Sequence, residues 1–291
     1  MTQHKDMPAR EKRAAVINDL SGFGRCSIGV TLPILSVMGV HTACVPTAVL
    51  STHTGDFTGY SFRDMTADMG AFLTHWQKEG LWFDALMSGY LGSFAQIEMV
   101  REYFRAFGSD DNLVFVDPVM GDDGKLYALY TDEMAKGMKK LCAGADVIVP
   151  NLTESCILLG ETYHEGVQKE QYLFSLCRGL KDLGAKQVVI TGCSTMDGFI
   201  GAACYDGSDF CMRSAPFVPA KYCGTGDVFA SVLLGALMQE RKLPDAVQLA
   251  TDYTARSVQH SVACGVPNRE GVDFERDLWT LGKKMITGED G

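Results

Sequence analysis

The sequence has no long apolar run and no excess of positive charge. No apolar stretch approaches the roughly 18 residues that a membrane-spanning helix needs, and the run at 14–17, after several basic residues, is too short for a signal-peptide core. The formal net charge of −10 argues against a broad basic face for nucleic acid or anionic lipid. These absences predict a cytoplasmic protein that binds neither nucleic acid nor membranes, with residues 1–13 as a flexible extension.

Common nucleotide and metal signatures are missing as well. The sequence contains no Gly-x-x-x-x-Gly-Lys-Ser/Thr loop, no protein-kinase signature set and no Gly-x-Ser-x-Gly motif. Its ten cysteines include no Cys-x-x-Cys pair, and several, such as Cys44 and Cys204, lie within apolar runs. We therefore expect reduced thiols that pack as small hydrophobic side chains.

What is present is an alternation of β-branched runs with helical patterns, over 291 residues of which 46% are hydrophobic. This pattern predicts βαβ units, a mostly parallel sheet covered on both faces, and one domain. The predicted strands are 14–18, 42–49, 85–88, 114–117, 147–149 and 187–191. The predicted helices are 28–38, 64–78, 94–107, 131–141, 168–183, 226–239 and 244–263. A turn at Asp206-Gly207-Ser208 predicts an antiparallel hairpin of 198–205 with 209–213.

Polar or glycine-containing sequence follows each predicted parallel strand. The positions are Asn18-Asp19, Ser88-Gly89-Tyr90, Asp117, Asn151 and Thr191-Gly192. Ligands of open parallel sheets bind outside the carboxyl ends of the strands, so a site is expected along this edge.

The segment Gly224-Thr225-Gly226-Asp227 precedes a nearly all-apolar helical run. Its glycines permit a tight turn, and the start of the helix offers unpaired N–H groups to a transferring phosphoryl group. Asp227 can then accept a proton from an attacking hydroxyl. The structural alternative is that Asp227 only complements the helix N-terminus.

Four further segments allow both a functional and a structural interpretation. Asp117 and Asp122 are suited to Mg²⁺, or they end a strand in a solvated turn. Asn151 and Glu154 have capping-box spacing, which is a sufficient explanation, although Glu154 is also well placed to organise Mg²⁺-bound water. Tyr90 can stack on a flat ring or pack in the interior. Thr47 and His53 can face a substrate, but a single His is more often structural.

Taken in chain order, these segments resemble the ribokinase superfamily, in particular its pyridoxal kinase and hydroxymethylpyrimidine kinase branch. The segments that carry the resemblance are 18–24, 51–55, 88–90, 117–122, 150–154 and 224–227, and the similarity extends from Val16 to about Val262. The ordered set is far more specific than any one member. Stretches 51–55 and 88–90 favour the pyridoxal kinase side.

The resemblance implies a ribokinase-like three-layer α/β/α sandwich that acts as a homodimer and transfers the γ-phosphoryl group of ATP to a hydroxymethyl group on a pyridine or pyrimidine ring. Asp227 would be the base, and the amides of Gly224, Thr225 and Gly226 the anion hole. Mg²⁺, with a monovalent cation such as K⁺ as an optional addition, would be organised by Asp117, Asp122 and Glu154. The nucleotide would lie along Asp117, Asn151, Glu154, Thr191 and Thr225. The ring would contact Asp19, Ser21, Thr47 and Tyr90, under a flap that contains Lys125 and Tyr127.

One departure bears on the acceptor. Pyridoxal kinases have a Ser-His pair after the first strand, where this chain has Asp19-Leu20, so we expect Asp19 or Ser21 to replace that pair. Cys223 is either a packing residue or a thiol that adds to an aldehyde substrate. A B6 vitamer is the favoured acceptor; a hydroxymethylpyrimidine kinase of thiamine synthesis, a sugar kinase and a catalytically silent ligand-binding homologue remain alternatives.

Overall fold

A nine-stranded, mostly parallel sheet lies between two layers of helices in the computed structural model, which describes residues 10–287, with side chains up to residue 283. The strands are β1 Lys12–Ser21, β2 Val40–Leu50, β3 Phe62–Asp64, β4 Ala85–Ser88, β5 Leu113–Val116, β6 Gly121–Asp122, β7 Lys125–Leu126, β8 Val147–Ile148, β9 Gln187–Cys193, β10 Phe199–Tyr205 and β11 Phe210–Pro216. The helices are α1 Ile28–Val37, α2 Thr66–Lys78, α3 Phe94–Phe107, α4 Asp132–Cys142, α5 Leu152–Leu159, α6 Glu170–Asp182, α7 Thr225–Met238, α8 Leu243–Ala263 and α9 Leu278–Thr287.

The order of strands in the sheet places the parallel strands in the middle. It runs β11-β10-β9-β8-β5-β4-β1-β2-β3, and β3, β10 and β11 at the margins are antiparallel. Strands β6 and β7 form a separate two-stranded hairpin. The six central strands are therefore all parallel, so their carboxyl ends share one edge.

Alternate side chains of the central strands enter two separate hydrophobic cores. Val16 of β1 packs in the core under α1, α7, α8 and α9, whereas Ile17 packs in the core under α2 to α6. Both side chains are fully buried, as expected for strands that are covered on both faces. The three-layer α/β/α sandwich predicted from the sequence is confirmed.

Most predicted elements agree with the structure to within a few residues, and 85–88 and 94–107 agree at both ends. The two- and three-residue strands β3, β6 and β7 were not predicted from the sequence, and neither was α9. Strand β5 ends at Val116 rather than at Asp117, which lies in the loop that follows. Within residues 10–287, no helix is both long enough and apolar enough to cross a bilayer.

Two predictions about the chain are wrong in part. Lys12 and Arg13 belong to β1, and the Arg13 guanidinium stacks on Trp82, so the prediction of a flexible extension is wrong for these two residues; residues 1–9 lie outside the described residues. The expectation of reduced thiols fails for Cys204 and Cys211, which face each other across β10 and β11 and form a disulfide. The other eight cysteines are free.

Candidate active site

The predicted site residues lie along the carboxyl edge of the parallel strands. Asp19 is at the end of β1, Tyr90 follows β4, and Asp117 follows β5. Further along, Asn151 follows β8 and forms an isolated parallel bridge with Thr191 of β9. The topology thus brings together residues that are far apart in the chain.

The start of α7 presents free N–H groups at this edge. Gly224 is the N-cap residue, has φ +80°, and would place a Cβ only 2.0 Å from the carbonyl oxygen of Arg25, so only glycine fits there. No atom of the described residues accepts a hydrogen bond from the backbone N–H groups of Thr225, Gly226 and Asp227. A Cβ at Gly226 would meet nothing within 4 Å. The turn therefore offers three N–H donors and the positive end of a helix dipole to an anion.

The Asp227 carboxylate does not cap its own helix. The backbone N–H of Ser27 and the side-chain amide of Asn18, which belong to other parts of the fold, lie close enough to lower its pKa. Asp227 keeps some exposure to solvent, yet desolvation by the surrounding protein raises its pKa to about 6, and the two donors oppose that rise. A carboxylate with a pKa near 6 is suited to accept a proton from a ligand.

Asp117 lies near Asp227, and Glu154 lies near Asp117. Asp117 and Glu154 are buried, and desolvation, together with the neighbouring carboxylates, holds the pKa of Asp117 well above its ordinary value. In the part of the chain that the structure describes, the Asp117 carboxylate accepts no hydrogen bond. Burial also raises the pKa of Glu154, against backbone N–H donors that lower it.

The structural explanation for Asn151 and Glu154 is confirmed. Asn151 Oδ1 accepts from the N–H of Glu154 at 2.8 Å, and Glu154 Oε2 accepts from the N–H of Asn151 at 2.8 Å, which is a complete capping box. The same two side chains also bind the segment before the hairpin. Glu154 Oε1 accepts from the N–H of Met120 at 2.9 Å, and Asn151 Nδ2 donates to the carbonyl of Gly121 at 2.8 Å. The capping box therefore also fixes the base of the hairpin.

The β6–β7 hairpin lies against the carboxylates. The Tyr127 ring follows β7, and desolvation together with the charges of Glu154, Asp122, Asp117 and Asp227 raises its pKa. Lys125 is exposed. Lys221 Nζ lies 2.9 Å from Asp122 Oδ2 and 2.7 Å from Asp123 Oδ2, so Asp122 is paired with a lysine.

On the other side of Asp227 lie Asp19 and Ser21. Asp19 is buried, Ser27 Oγ donates to its Oδ1 at 2.5 Å, and burial raises its pKa. The Ser21 hydroxyl is buried and makes no well-formed hydrogen bond with any described residue. A buried polar atom without a partner is suited to a ligand group.

Thr47 and Tyr90 form a pair. Thr47 is fully buried, and its Oγ1 donates to the carbonyl of Tyr90 at 3.1 Å. Thr47 is therefore bound to the backbone of the Tyr90 segment and is not itself exposed at the site. Tyr90 itself keeps partial exposure and lies close enough to Asp19 for that charge to contribute to its raised pKa, after desolvation.

His53 and Cys223 lie at the margin of the site. His53 Nδ1 accepts from the N–H of Gly55 at 3.1 Å, and Nε2 lies 2.7 Å from the carbonyl oxygen of Arg269. Both ring nitrogens are therefore engaged by the backbone, which supports the structural interpretation of His53. Cys223 is partly buried, and desolvation raises the pKa of its thiol, which disfavours the reactive thiolate.

The carboxylates fit a magnesium ion that is held mainly by phosphates and water. No group of three His, Cys, Asp or Glu side chains within residues 10–283 could hold a metal by itself. Asp117 accepts no hydrogen bond from any described residue and lies near other negative charges. It is therefore the oxygen ligand whose charge a hard cation would stabilise most. Glu154 already binds backbone N–H groups with both oxygens, so it fits a contact through water.

Two residues beside Asp227 were not predicted as functional. Asn18 stood out only as a polar residue at the end of an apolar strand, with no indication of its partner. Ser27 has φ +52°, a conformation that the sequence does not reveal for a serine. A cavity of about 170 Å³, lined by residues that include Arg13 and Phe83, lies beside the amino ends of the strands and contains none of the predicted residues.

Comparison with known proteins gives a consistent result. A family model described as phosphomethylpyrimidine kinase matches residues 32–271. A candidate phosphomethylpyrimidine kinase from Bacteroides thetaiotaomicron is 39% identical, with a TM-score of 0.90 over 95% of this chain and 96% of that one. A second crystal form of that protein, solved with pyridoxal, has a TM-score of 0.85 and covers 94% and 96% of the two chains.

Two pyridoxal kinases are also similar. The crystal structure of the Lactobacillus plantarum pyridoxal kinase is 30% identical, with a TM-score of 0.86 over 94% of this chain and 97% of that one. The pyridoxal kinase of Arabidopsis thaliana is 28% identical over 188 residues, which cover 62% of this chain. The match spans only 58% of the Arabidopsis protein's length.

Proposed function

The chain belongs to the phosphomethylpyrimidine kinase family and is a phosphotransferase that acts on an alcohol group, and we propose that it transfers the γ-phosphoryl group of ATP to the 5′-hydroxymethyl group of pyridoxal, pyridoxine or pyridoxamine. The observation that carries this proposal is the position of Asp227. Its carboxylate lies in the first turn of α7, beside three free N–H groups and opposite the buried Asp117.

In the proposed reaction, the acceptor oxygen attacks the γ-phosphorus of ATP and its proton passes to the Asp227 carboxylate. A new P–O bond forms as the bond to the β-phosphate oxygen breaks, and ADP leaves. The N–H groups of Gly224, Thr225 and Gly226, with that of Asp227 beside them, would receive the charge that develops on the transferring group. The protein contributes mainly position and electrostatic stabilisation, as phosphoryl transfer generally requires.

Magnesium enters through the nucleotide phosphates. When bound, it would neutralise phosphate charge, with Asp117 as a direct ligand and with Glu154 and Asp122 acting through water. Asp122 is paired with Lys221 in this structure, so that lysine would have to share or release it. Asn151, Thr191 and Thr225 lie along the same edge and would contact the phosphates.

The acceptor ring would lie between Tyr90 and the pair formed by Asp19 and Ser21. The unpartnered hydroxyl of Ser21 and the second oxygen of Asp19 provide polar contacts for a ring nitrogen or ring substituent. The relative from Bacteroides thetaiotaomicron, at 39% identity, was crystallised with pyridoxal, which supports a pyridine acceptor.

The alternative acceptor is a hydroxymethylpyrimidine. It is favoured by the description of the matching family and by the description of the same Bacteroides protein. Both acceptors present a hydroxymethyl group on an aromatic ring, so the same base and anion site would serve either reaction.

Turnover assays separate these candidates. The purified protein would receive ATP, Mg²⁺ and one acceptor at a time (each B6 vitamer, hydroxymethylpyrimidine, and a simple sugar as control), with ADP release as the measurement. We expect the highest kcat/KM with a B6 vitamer. Faster turnover of the pyrimidine than of every vitamer would contradict the proposed acceptor and leave the kinase assignment in place.

The role of Asp227 is tested by Asp227→Asn. Loss of the base should lower kcat by about 10²- to 10⁴-fold with ring binding retained. Equal turnover in wild type and variant would remove Asp227 from the mechanism. Absence of turnover with all acceptors, together with retained ring binding by the wild type, would favour a catalytically silent homologue.

We also propose that the protein acts as a homodimer, as its resemblance to this kinase branch implies. Light scattering of the purified chain should then give twice the 31.7 kDa of one copy. A mass of one copy at working concentration would contradict it.

A further inference from the structure

Asn18 lies where β1 stops pairing regularly with β2. The register between these strands shifts between Asn18 and Leu20, and the Asn18 side chain is 1% exposed. A primary amide in this position must find partners for both of its ends.

The oxygen end of Asn18 has two donors. Oδ1 accepts from the N–H of Asp19 at 3.0 Å and from the N–H of Tyr90 at 2.8 Å. Because an amide nitrogen cannot accept from N–H groups, these two bonds fix which end is oxygen. They also tie the carboxyl ends of β1 and β4, which carry Asp19 and Tyr90, to one side chain.

The nitrogen end of Asn18 lies close enough to the Asp227 carboxylate to favour its charged form and lower its pKa. The backbone N–H of Ser27 acts on the same carboxylate in the same direction. The polar groups that favour this charge thus come from β1 and from the loop before α1, not from the helix of Asp227 itself.

Gly89 leaves the space that this amide occupies. A Cβ at Gly89 would lie 2.4 Å from Asn18 Nδ2 and 2.5 Å from Asn18 Cγ, so the amide would have to move aside. Gly89 has no positive φ, and so an alanine there would not strain the backbone. The close approach of Gly89 to the Asn18 amide is therefore the reason for a glycine at this position.

We propose that Asn18 is a positioning residue that fixes the Asp227 carboxylate relative to the two segments, at Asp19 and Tyr90, between which the acceptor ring binds. This inference rests on the proposed function, in which Asp227 is the base. If the proton acceptor is misplaced by a fraction of an ångström, kcat falls although the ring still binds. Asn18 thereby links the segments that bind the ring to the carboxylate that accepts the proton of the acceptor hydroxyl.

Two variants test this role from different sides. Asn18→Asp keeps an oxygen for the N–H groups of Asp19 and Tyr90 but replaces the donor that faces Asp227 by an acceptor. Gly89→Ala displaces the Asn18 amide without changing Asn18 or Asp227. The matched control is Gly92→Ala in the same loop, where the added methyl would meet its neighbours at 3.7 Å or more.

We expect both test variants to lower kcat by about 10- to 100-fold while KM for the ring changes by less than about threefold. Gly92→Ala should keep the wild-type kcat. If the buried charge prevents Asn18→Asp from folding, as circular dichroism would reveal, Gly89→Ala decides. A wild-type kcat in folded Gly89→Ala would overturn this inference without affecting the proposed function. The same conclusion would follow if KM rose by about 10- to 100-fold while kcat stayed unchanged. Absence of turnover in the wild type would overturn the proposed function and this inference with it.

Discussion

At the scale of single residues, the Asp227 carboxylate is governed by two opposing effects. Desolvation disfavours its charged form, whereas the nearby polar groups of Ser27 and Asn18 favour it, and the balance leaves a pKa of about 6. At neutral pH the group is then mostly ionised, yet it remains basic enough to take a proton from an alcohol in the transition state.

This balance predicts an acid limb in the pH profile. Because the ionised form is the base, protonation as the pH falls through about 6 should remove activity. We expect kcat/KM for the acceptor to fall about tenfold per pH unit below that point. Steady-state assays from pH 5 to pH 8, corrected for ionisation of the acceptor, measure the limb. A profile that stays flat down to pH 5 would show that Asp227 does not titrate as the base.

At the scale of elements, the β6–β7 hairpin is the part of the site best suited to closing over it. Its base is fixed by Asn151 and Glu154, whereas its far side carries exposed residues such as Lys125. Tyr127, just after β7, is 43% exposed and lies near the carboxylates around Asp227. A closed hairpin would exclude water that otherwise competes with the acceptor for the phosphoryl group.

Tyr127→Ala tests the hairpin as a barrier to water. Removing the ring should raise ADP release in the absence of an acceptor by roughly threefold or more, and lower acceptor-dependent turnover. Leu129→Ala is the matched control, because Leu129 lies in the same segment and is 73% exposed. A Tyr127→Ala protein whose ADP release without acceptor equals that of the wild type would exclude this role.

The elements that were predicted stand out in the sequence as an apolar run or a helical pattern. Strand 85–88 and helix 94–107 were predicted at both ends, and even the two-residue β8 lies in an apolar run, whereas β3, β6 and β7 have no such run. The disulfide depends on the exact register of the hairpin. The predicted three-residue turn at 206–208 would pair Cys204 with Phe210, whereas the structure has a four-residue loop, 206–209, which pairs Cys204 with Cys211.

The site was predictable as an edge but not as a set of contacts. Polar residues after each parallel strand indicated where Asp19, Asp117 and Asn151 would gather, because parallel strands end at a common edge. The proximity of Asn18 to Asp227 joins residues more than 200 positions apart. Such a contact depends on how the fold brings the start of α7 to the carboxyl end of β1, which no local pattern in the sequence encodes.

At the scale of the whole molecule, the carboxyl edge of the sheet collects acidic side chains that lose hydration when the chain folds. Burial raises the pKa of Asp19, Asp117, Glu154 and Asp227. In the unfolded chain these groups would ionise at ordinary values. The acids of the site therefore lower the free energy of unfolding at neutral pH, a cost that is typical of functional sites.

The direction of the pH dependence follows from proton counting. Between the ordinary carboxyl pKa near 4 and the raised value, the folded state holds more protons than the unfolded state. The contribution of each such acid to stability therefore falls as the pH rises through that window. Below it, both states are protonated and the penalty is absent.

Asp117→Asn should accordingly stabilise the free protein while impairing catalysis. The amide keeps the shape of the side chain but carries no charge to desolvate, so at pH 7 we expect Tm to rise by about 2–6 °C. Near pH 4, where the wild-type carboxyl is neutral, the two proteins should unfold at nearly the same temperature. Asp111→Asn, at an exposed position, controls for the loss of one negative charge and should shift Tm by about 1 °C or less. Calorimetry of the three proteins at both pH values measures this, and an Asp117→Asn protein that is no more stable than the wild type at pH 7 would mean that the buried carboxylate is already compensated within the fold.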